Sequence, residues 1–315
     1  MFEFLIYRPL GWIIKLIFDL VSNYGWAIII FTIIVKLILL PLNIKSQKAM
    51  KKQQKIQPII VELQKKYAND QQKLQQEMMK IYKENNISMF GGCLPLLIQF
   101  PILIGLYRVI QSPIKYLMRV DFNDEGVMNT VAEIFEAMKT KFPEMLGNLS
   151  NLKVEQVAKN YQMQLSNWSA KTGIGDWGMD FSFFGLDLSR NPSECWNAIS
   201  TGNFSDLSTV LLILIPLLAM FTTWLSSWQA QKMNKQPVGA DDSTAQMTKS
   251  MNMMMPLMTG FFALTLPAGL GIYWITGNIF QLAQQYFVNM YFDKKEDDFI
   301  VKVPENNRKK GKKRK

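Results

Sequence analysis

The sequence contains one uninterrupted apolar stretch, Tyr24 to Asn43, that is long enough to cross a lipid bilayer as a helix. Its twenty residues span about 30 Å at helical rise, which matches the hydrocarbon core of a membrane. One cation, Lys36, lies inside it. A charge within a span costs roughly 2.5–3.5 kcal/mol on insertion scales, so it indicates a functional site. The stretch therefore predicts a membrane protein that has a use for a buried charge.

Lys36 has two interpretations. In the first, the side chain snorkels and its stem carries the ammonium to the nearer interface. In the second, the cation faces water or protein. Lys36 lies about 10 Å from the end of the stretch, which is further than its stem comfortably reaches. Thr32, Lys36 and Asn43 also share a narrow arc at 100° per residue. We therefore favour a functional cation on a polar stripe, with snorkelling as the alternative.

The composition excludes several classes of function. The chain has 315 residues, a net charge of +10 and 49% hydrophobic residues, sharply divided into apolar runs and charged blocks. It contains no histidine, the usual general base and the commonest metal ligand. Its two cysteines, Cys93 and Cys195, cannot form a metal site alone, and the topology argued below separates them across the membrane. We expect no enzyme activity, no metal and no cofactor. No Walker motif is present, so nucleotide hydrolysis is not expected.

A Lys- and Gln-rich segment follows the first apolar stretch. Between residues 45 and 86 it carries ten lysines against four acidic residues, which predicts a cytoplasmic location. Apolar residues recur at helical spacing on both sides of Ala68-Asn69-Asp70, and Asn69 or Asp70 can cap the second helix. We predict a two-helix hairpin, with a disordered basic loop as the alternative. The apolar positions are Ile56, Ile60, Leu63, Tyr67, Leu74, Met78, Ile81 and Tyr82.

The second apolar run, 89–110, contains Gln99 near its middle. A lone glutamine in a span is as often a helix-to-helix contact as a ligand, and both interpretations stay open. Residues 111–206 then carry eight basic and twelve acidic residues, which predicts that they lie outside, with the acidic residues on a solvated face.

The remaining spans also carry polar residues on one face. Thr222, Ser226 and Gln229 share a face of the third span, and Trp274, Asn278, Gln281 and Gln285 fall within about 60° on the fifth. Lipid-facing amides and hydroxyls would be unsatisfied, so these stripes must face one another or a wet cavity. Methionines crowd the start of the fourth span and suit either a surface for varied apolar partners or an irregular core.

The predicted architecture is an all-α integral membrane protein, a five-span helical bundle around a polar groove. Its segments are an N-terminal interfacial amphipathic helix (1–23), span 1 (24–43), the cytoplasmic helical hairpin (44–88), span 2 (89–110), the extracytoplasmic segment (111–206), span 3 (207–229), a cytoplasmic linker (230–250), span 4 (251–267), span 5 (271–291) and a basic cytoplasmic tail (292–315). This places the N-terminus outside and the C-terminus in the cytoplasm.

Six collinear motifs between about residue 8 and residue 292 resemble the YidC family of membrane protein insertases, whose relatives serve the mitochondrial inner membrane and the thylakoid. These motifs are IIIFTIIVKLILLPL, KIQPIIVELQKKY, QQKLQQEMMKIYKEN, FGGCLPLLIQFPILIGLYR, FFGLDLS and LPAGLGIYWITGNIFQLAQQY. The long outer segment between about 113 and 180 departs from the resemblance as an insertion relative to shorter members.

The resemblance implies a hydrophilic groove, open to the cytoplasm and to lipid, in a bacterial cell membrane. The groove cation is usually arginine in the family, and the matching position here is Lys36, a point charge in place of a bidentate fork. Trp274 matches a groove-lining aromatic residue. Our own stripe analysis and Gln99 complete the predicted groove, whose residues are Lys36, Thr32, Gln99, Thr222, Ser226, Trp274, Asn278 and Gln281.

The predicted function is therefore that of an insertase and chaperone, which receives nascent hydrophobic segments and releases them into lipid. The alternative is a small-anion transporter or channel that uses Lys36 as its anion site. Expected partners are nascent membrane proteins, the ribosome through the basic tail and hairpin, and the Sec translocon. Anionic lipids are the alternative ligand of the tail, and no specific nucleic acid sequence is expected.

Overall fold

A computed structural model of the protein describes residues 2–88, 94–195, 207–233 and 242–292. Within these ranges the chain is mainly α-helical, with one small antiparallel sheet in which Ser182 pairs with Asp187. After a π-helical turn, Glu3–Tyr7, the elements are α1 Arg8–Val21, α2 Tyr24–Lys66, α3 Gln71–Glu84, α4 Leu94–Gln111, α5 Pro113–Tyr116, α6 Glu125–Lys141, α7 Pro143–Leu146, a 3₁₀ turn Gly147–Asn151, α8 Val154–Asn160, α9 Gln162–Thr172, β1 Ser182–Phe183, β2 Leu186–Asp187, α10 Leu207–Leu211, α11 Leu214–Met233, α12 Asp242–Thr265 and α13 Ala268–Phe292.

The chain divides into two compact units, which are described separately. The first is formed by Met1–Val35, Gln99–Thr223 and Pro256–Gly277. The second is formed by Lys36–Ile98, Trp224–Met255 and Asn278–Lys315.

The main core of the first unit is apolar and draws on segments that are far apart in the sequence. Ile14 of α1, Phe31 of α2, Ile110 of α4 and Ile215 of α11 are all buried in it. Helix α1 begins with Pro9 in its first turn, where the missing N–H costs nothing, and it ends at Ser22 in the left-handed conformation. The predicted interfacial helix is thus a regular helix that packs one apolar face on this core.

The predicted outer insertion has an apolar core of its own within the first unit. Val131, Phe135, Val157 and Trp168 are buried in it, on helices α6, α8 and α9. The segment that was predicted to carry a solvated acidic face is therefore a packed cluster of helices. Each of these helices is short and acquires its apolar contacts from the others.

Two backbone hydrogen bonds hold the start of α13 in the first unit. The N–H groups of Ala268 and Gly269 donate to the carbonyl oxygens of Arg190 and Leu188, at 2.9 and 3.2 Å. These donors belong to the first turn of α13, where backbone N–H groups have no acceptors within the helix. The segment that follows β2 therefore fixes the turn between α12 and α13.

The second unit contains the hairpin of α2 and α3. The apolar positions predicted from spacing do pack together: Ile56, Ile60, Leu63, Leu74 and Ile81 are buried, with Tyr67, Met78 and Tyr82 partly buried around them. The Asp70 side chain accepts a hydrogen bond from the backbone N–H of Lys73, so Asp70 rather than Asn69 caps α3. Pro58 lies inside α2.

Several predicted segment bounds differ from the helices of the structure. Helix α2 continues from the first apolar stretch into the hairpin, and α12 begins at Asp242, inside the predicted linker. Residues 89–93, 196–206, 234–241 and 293–315 of the predicted segments lie outside the described residues. Among the described helices, none passes a span test of length and hydropathy by itself, whereas Tyr24–Ile38 and Leu40–Lys66, bent by 57°, pass it together.

Candidate functional site

The eight predicted groove residues are distributed over both units. The first unit contains Thr32, Gln99, Thr222 and Trp274, and the second contains Lys36, Ser226, Asn278 and Gln281.

Gln99 has a side-chain partner within the first unit. Its amide Nε2 donates a hydrogen bond to the hydroxyl oxygen of Tyr273, which joins α4 to α13. Tyr273 is buried, and its neighbour Trp274 is half-buried against the main core. Of the two interpretations of Gln99, this geometry supports a contact between helices.

The two threonines of the first unit satisfy their hydroxyl protons within their own helices. Thr32 donates to the Ile28 carbonyl at 2.7 Å, and Thr222 donates to the Leu218 carbonyl at 2.8 Å. Both side chains are buried. This bonding pattern lets a hydroxyl reside in an apolar helix with no partner from elsewhere. Their hydrogen bonds therefore do not by themselves indicate a ligand.

Lys36 is half-buried, on the part of α2 that belongs to the second unit. The next two residues, Leu37 and Ile38, are 52% and 68% exposed. A cation that is partly enclosed within such an apolar stretch is costly unless water, protein or a bound group compensates it.

Three polar atoms of the second unit are buried and lack a hydrogen-bond partner among the described residues. They are the Oε1 atoms of Gln47 and Gln285 and the hydroxyl oxygen of Ser226, on helices α2, α13 and α11. An unpaired buried polar atom costs about 1–3 kcal/mol, and so it needs a partner outside the described residues, such as water or a bound group, or a functional reason. Lys36 belongs to the same unit as these three atoms.

The other predicted residues of the second unit differ in exposure. Asn278 is half-buried, and Gln281 is exposed. One turn further along α13, Gln285 is buried, and the Gln229 amide donates to the Leu282 carbonyl at 3.4 Å, which joins α11 to α13. The side chains of the polar stripe predicted on the fifth span therefore differ in their exposure to solvent.

Sequence reasoning missed Tyr273 and Gln47 and left Gln285 out of the predicted groove. Gln47 was detectable, because it lies eleven residues after Lys36 and eleven residues are close to three helical turns. Tyr273 gave no such signal, since its partner Gln99 is 174 residues away.

No group of three or more His, Cys, Asp or Glu side chains suited to a metal occurs in the part of the chain that the structure describes. Cys195 is buried and makes no disulfide bond with the residues that the structure describes, and Cys93 lies outside them. The segment Gly173-Ile174-Gly175-Asp176-Trp177-Gly178 matches the G-x-G-x-x-G spacing, but it follows α9. A dinucleotide-binding loop lies between a strand and a helix, so this segment does not indicate a nucleotide site.

Comparison with known proteins gives consistent results. A family model described as 60Kd inner membrane protein matches residues 16–295. A protein of Caldanaerobacter subterraneus subsp. tengcongensis named membrane protein insertase YidC is 32% identical over 277 residues, which is 88% of this chain and 90% of the relative. A Clostridium perfringens protein with the same name is 32% identical over 89% of this chain and 84% of its own length. A crystal structure of an active YidC insertase, with its first transmembrane domain resolved, matches 89% of this chain and 45% of its own at 24% identity, with a TM-score of 0.49.

Proposed function

The chain belongs to the 60Kd inner membrane protein family of YidC-type insertases, and from that membership we propose that it inserts nascent membrane proteins through a hydrated groove centred on Lys36. The observation that carries the mechanism is the half-buried Lys36, in the same unit as three buried polar atoms that have no partner among the described residues, on Gln47, Ser226 and Gln285. The predicted groove residues Thr32, Thr222, Trp274, Asn278 and Gln281 complete the proposal, and Gln99 contributes through its contact with Tyr273.

The groove lowers the cost of moving the polar flank of a client part of the way across the bilayer. A carboxylate that leaves water loses its hydration, and the fixed cation of Lys36 replaces part of it. The buried oxygens of Gln47, Ser226 and Gln285 can accept hydrogen bonds from N–H groups of the client. The ammonium of Lys36 is a compact charge with three hydrogen-bond donors, so it can interact with acidic or polar groups in many orientations. This tolerance suits clients of varied sequence.

Release into lipid follows from the apolar part of the client. Burial of apolar surface contributes roughly 25 cal/mol per Å², so a hydrophobic segment of membrane length is strongly driven into the bilayer. The chain needs no nucleotide hydrolysis for this step, since transfer into lipid, translation and the membrane potential supply the energy. Many exposed apolar side chains on the helices support contact with lipid or client, among them Leu37, Ile38, Phe100, Leu217, Phe221, Met253, Met254, Met258 and Phe261.

The basic hairpin meets the client first, and the ribosome docks on the hairpin and the basic tail. The tail also binds anionic lipid, and the Sec translocon is a further partner. The N-terminus lies outside and the C-terminus in the cytoplasm. Loop charge supports this orientation, with ten lysines against four acidic residues between 45 and 86.

The experiment is insertion of a short single-span client with an acidic outer flank into liposomes that contain only this protein. Wild type is compared with Lys36→Arg, Lys36→Ala and Lys36→Glu. We expect Arg to retain insertion and both Ala and Glu to lose most of it, because the groove acts through positive charge. Lys141→Ala is the control, since Lys141 is an exposed lysine outside the hairpin and the predicted groove.

Equal insertion by all four proteins would show that Lys36 only snorkels, and the mechanism would fail. Small-anion flux through the same liposomes tests the transporter alternative. Flux that depends on Lys36, without client insertion, would replace the proposed function.

A further inference from the structure

Two adjoining cavities lie in the first unit, among the N-terminal segment, the end of α4, the α5–α6 connection and helices α8 and α9. Their volumes are about 570 and 790 Å³. They share five lining residues, which are Lys115, Tyr116, Val120, Asp121 and Asn123. None of the predicted groove residues lines either cavity.

Basic side chains are concentrated at these cavities, although the segment 111–206 has a net negative charge. Five basic residues line them, against three acidic ones: Arg8, Arg108, Lys115, Arg119 and Lys159 against Glu3, Asp121 and Glu155. Lys115 forms an ion pair with Glu3 at 3.0 Å. Arg108, Arg119 and Lys159 form no ion pair with the residues that the structure describes. These three charges are therefore available to an anion.

Two of the acidic residues already have favourable interactions within the chain. Asp121 accepts hydrogen bonds from the backbone and the side chain of Asn123, at 3.0 and 2.8 Å. Glu155 lies in the first turn of α8, where the helix dipole favours a negative charge. With five basic residues against three acidic ones, the lining carries a net positive charge.

A buried amide adds a directional donor to the larger cavity. Gln162 lines that cavity and is only 4% exposed. Its Oε1 accepts the backbone N–H of Lys115 at 3.1 Å, and its Nε2 makes no hydrogen bond within the described residues. This Nε2 can donate into the cavity, and an anion oxygen is a suitable acceptor for it.

The surface beside the smaller cavity is apolar. Phe2, Phe4 and Leu5 are 63%, 70% and 70% exposed, and the Arg8 guanidinium lies 4.2 Å from the centre of the Phe4 ring. A basic cavity next to exposed aromatic and aliphatic side chains matches a ligand with an anionic head and an apolar body. Free phosphate would use only the first of these features.

We propose that these cavities bind the phosphate group of an anionic phospholipid, with Arg108, Lys159 and the Gln162 amide as its ligands and Arg119 at its edge. The acyl chains lie along the exposed apolar side chains of the N-terminal segment. The bound lipid links this segment to the outer helical cluster.

The test measures phosphatidylglycerol retained on the full-length protein in detergent by native mass spectrometry, titrated against phosphatidylcholine. The double variant Arg108→Gln/Lys159→Gln should bind phosphatidylglycerol roughly 25-fold more weakly, at about five-fold for each lost cation. Lys141→Gln/Lys171→Gln removes two other basic residues of the same segment that line neither cavity, and it should bind normally. The exchange Arg108→Lys/Lys159→Arg keeps both charges and should also bind, which separates loss of charge from loss of fold.

Equal weakening in the Lys141/Lys171 variant would overturn the proposal, since any basic surface would then suffice. Equal retention of phosphatidylcholine would remove the requirement for an anionic lipid. Inorganic phosphate that binds wild type as tightly as phosphatidylglycerol, measured by calorimetry, would assign the site to a free anion and overturn the lipid as ligand. Loss of binding in the charge-keeping exchange would also contradict it.

Discussion

The amide of Gln99 donates a hydrogen bond to the hydroxyl of Tyr273, across 174 residues of sequence. The pair joins two helices of the first unit, α4 and α13, next to the half-buried Trp274. A side-chain hydrogen bond between apolar helices fixes their rotation, because slippage of either helix would break it. Contacts and close approaches of this kind at Tyr273, Gly11, Ser226 and Glu3 lead to four predictions.

Tyr273→Phe should lower the free energy of unfolding by about 1–3 kcal/mol, since it deprives the Gln99 amide of this acceptor. Gln99→Leu/Tyr273→Phe should cost less than the sum of the two single changes. Apparent melting temperatures in one detergent, arranged as a double-mutant cycle, measure the coupling. A coupling energy near zero would show that the pair does not hold the helices.

Gly11→Ala should destabilise the first unit, because a Cβ at Gly11 would lie 2.6 Å from the Tyr116 carbonyl oxygen. That oxygen belongs to the backbone and cannot rotate away, so α1 must move from α5, at a cost of about 1–3 kcal/mol. Gly126→Ala is the control, since its Cβ meets only the exposed Asp124 side chain, at 3.1 Å. Faster hydrogen exchange of α1 should appear in the first variant and be absent from the second.

Ser226→Ala should leave stability unchanged within about 0.5 kcal/mol or raise it, because its buried hydroxyl oxygen has no partner among the described residues. Insertion of a client with a polar flank should nevertheless slow, if that oxygen serves the groove. Ser227→Ala, at the adjacent position, should change neither. The liposome insertion assay and a thermal melt are made on the same samples. A loss of more than about 1 kcal/mol in Ser226→Ala would mean that the hydroxyl is already satisfied.

Glu3→Gln should increase the reactivity of the Lys115 amine toward an acylating reagent at mildly alkaline pH. Burial acts to lower the pKa of Lys115, but the hydrogen bond to Glu3, together with Tyr116 and the Glu3 charge, raises it above its usual value. Without Glu3 the pKa falls and more of the amine is neutral. Acylation of Lys153, read by mass spectrometry in the same sample, is the internal control, and an unchanged Lys115 rate would contradict the role of the pair.

The same pair has a defined effect on stability. Because the pKa of Lys115 is higher in the folded protein than in the unfolded chain, the ion pair stabilises the fold at pH values below the unfolded pKa. This contribution is lost as the pH rises through the folded pKa. The pair is therefore intact at neutral pH and lost in the alkaline range. Lys115 and Glu3 are 44% and 41% exposed, so its contribution is only about 0–1 kcal/mol.

The hairpin shows what local sequence can determine. Apolar residues at helical spacing, from Ile56 to Ile81, are buried as predicted, and Asp70 caps α3. Both features depend on residues close in sequence, since a helical face repeats every three to four positions and a cap acts within one turn. Loop charge and hydropathy are likewise local sums. They were sufficient to indicate the helical class and, with the collinear motifs, the family that the comparisons show.

Only the tertiary structure decided which polar residues have partners and which do not. Thr32 and Thr222 satisfy their hydroxyl protons within their own helices, whereas the oxygen of Ser226, predicted on the same grounds, has no partner in the part of the chain that the structure describes. The basic cavities are also beyond sequence reasoning, because Arg8, Arg108 and Lys159 are brought together by packing of the outer helical cluster and the N-terminal segment. Periodicity gives the face of a helix on which a side chain lies, but the atom opposite that face is set by long-range packing.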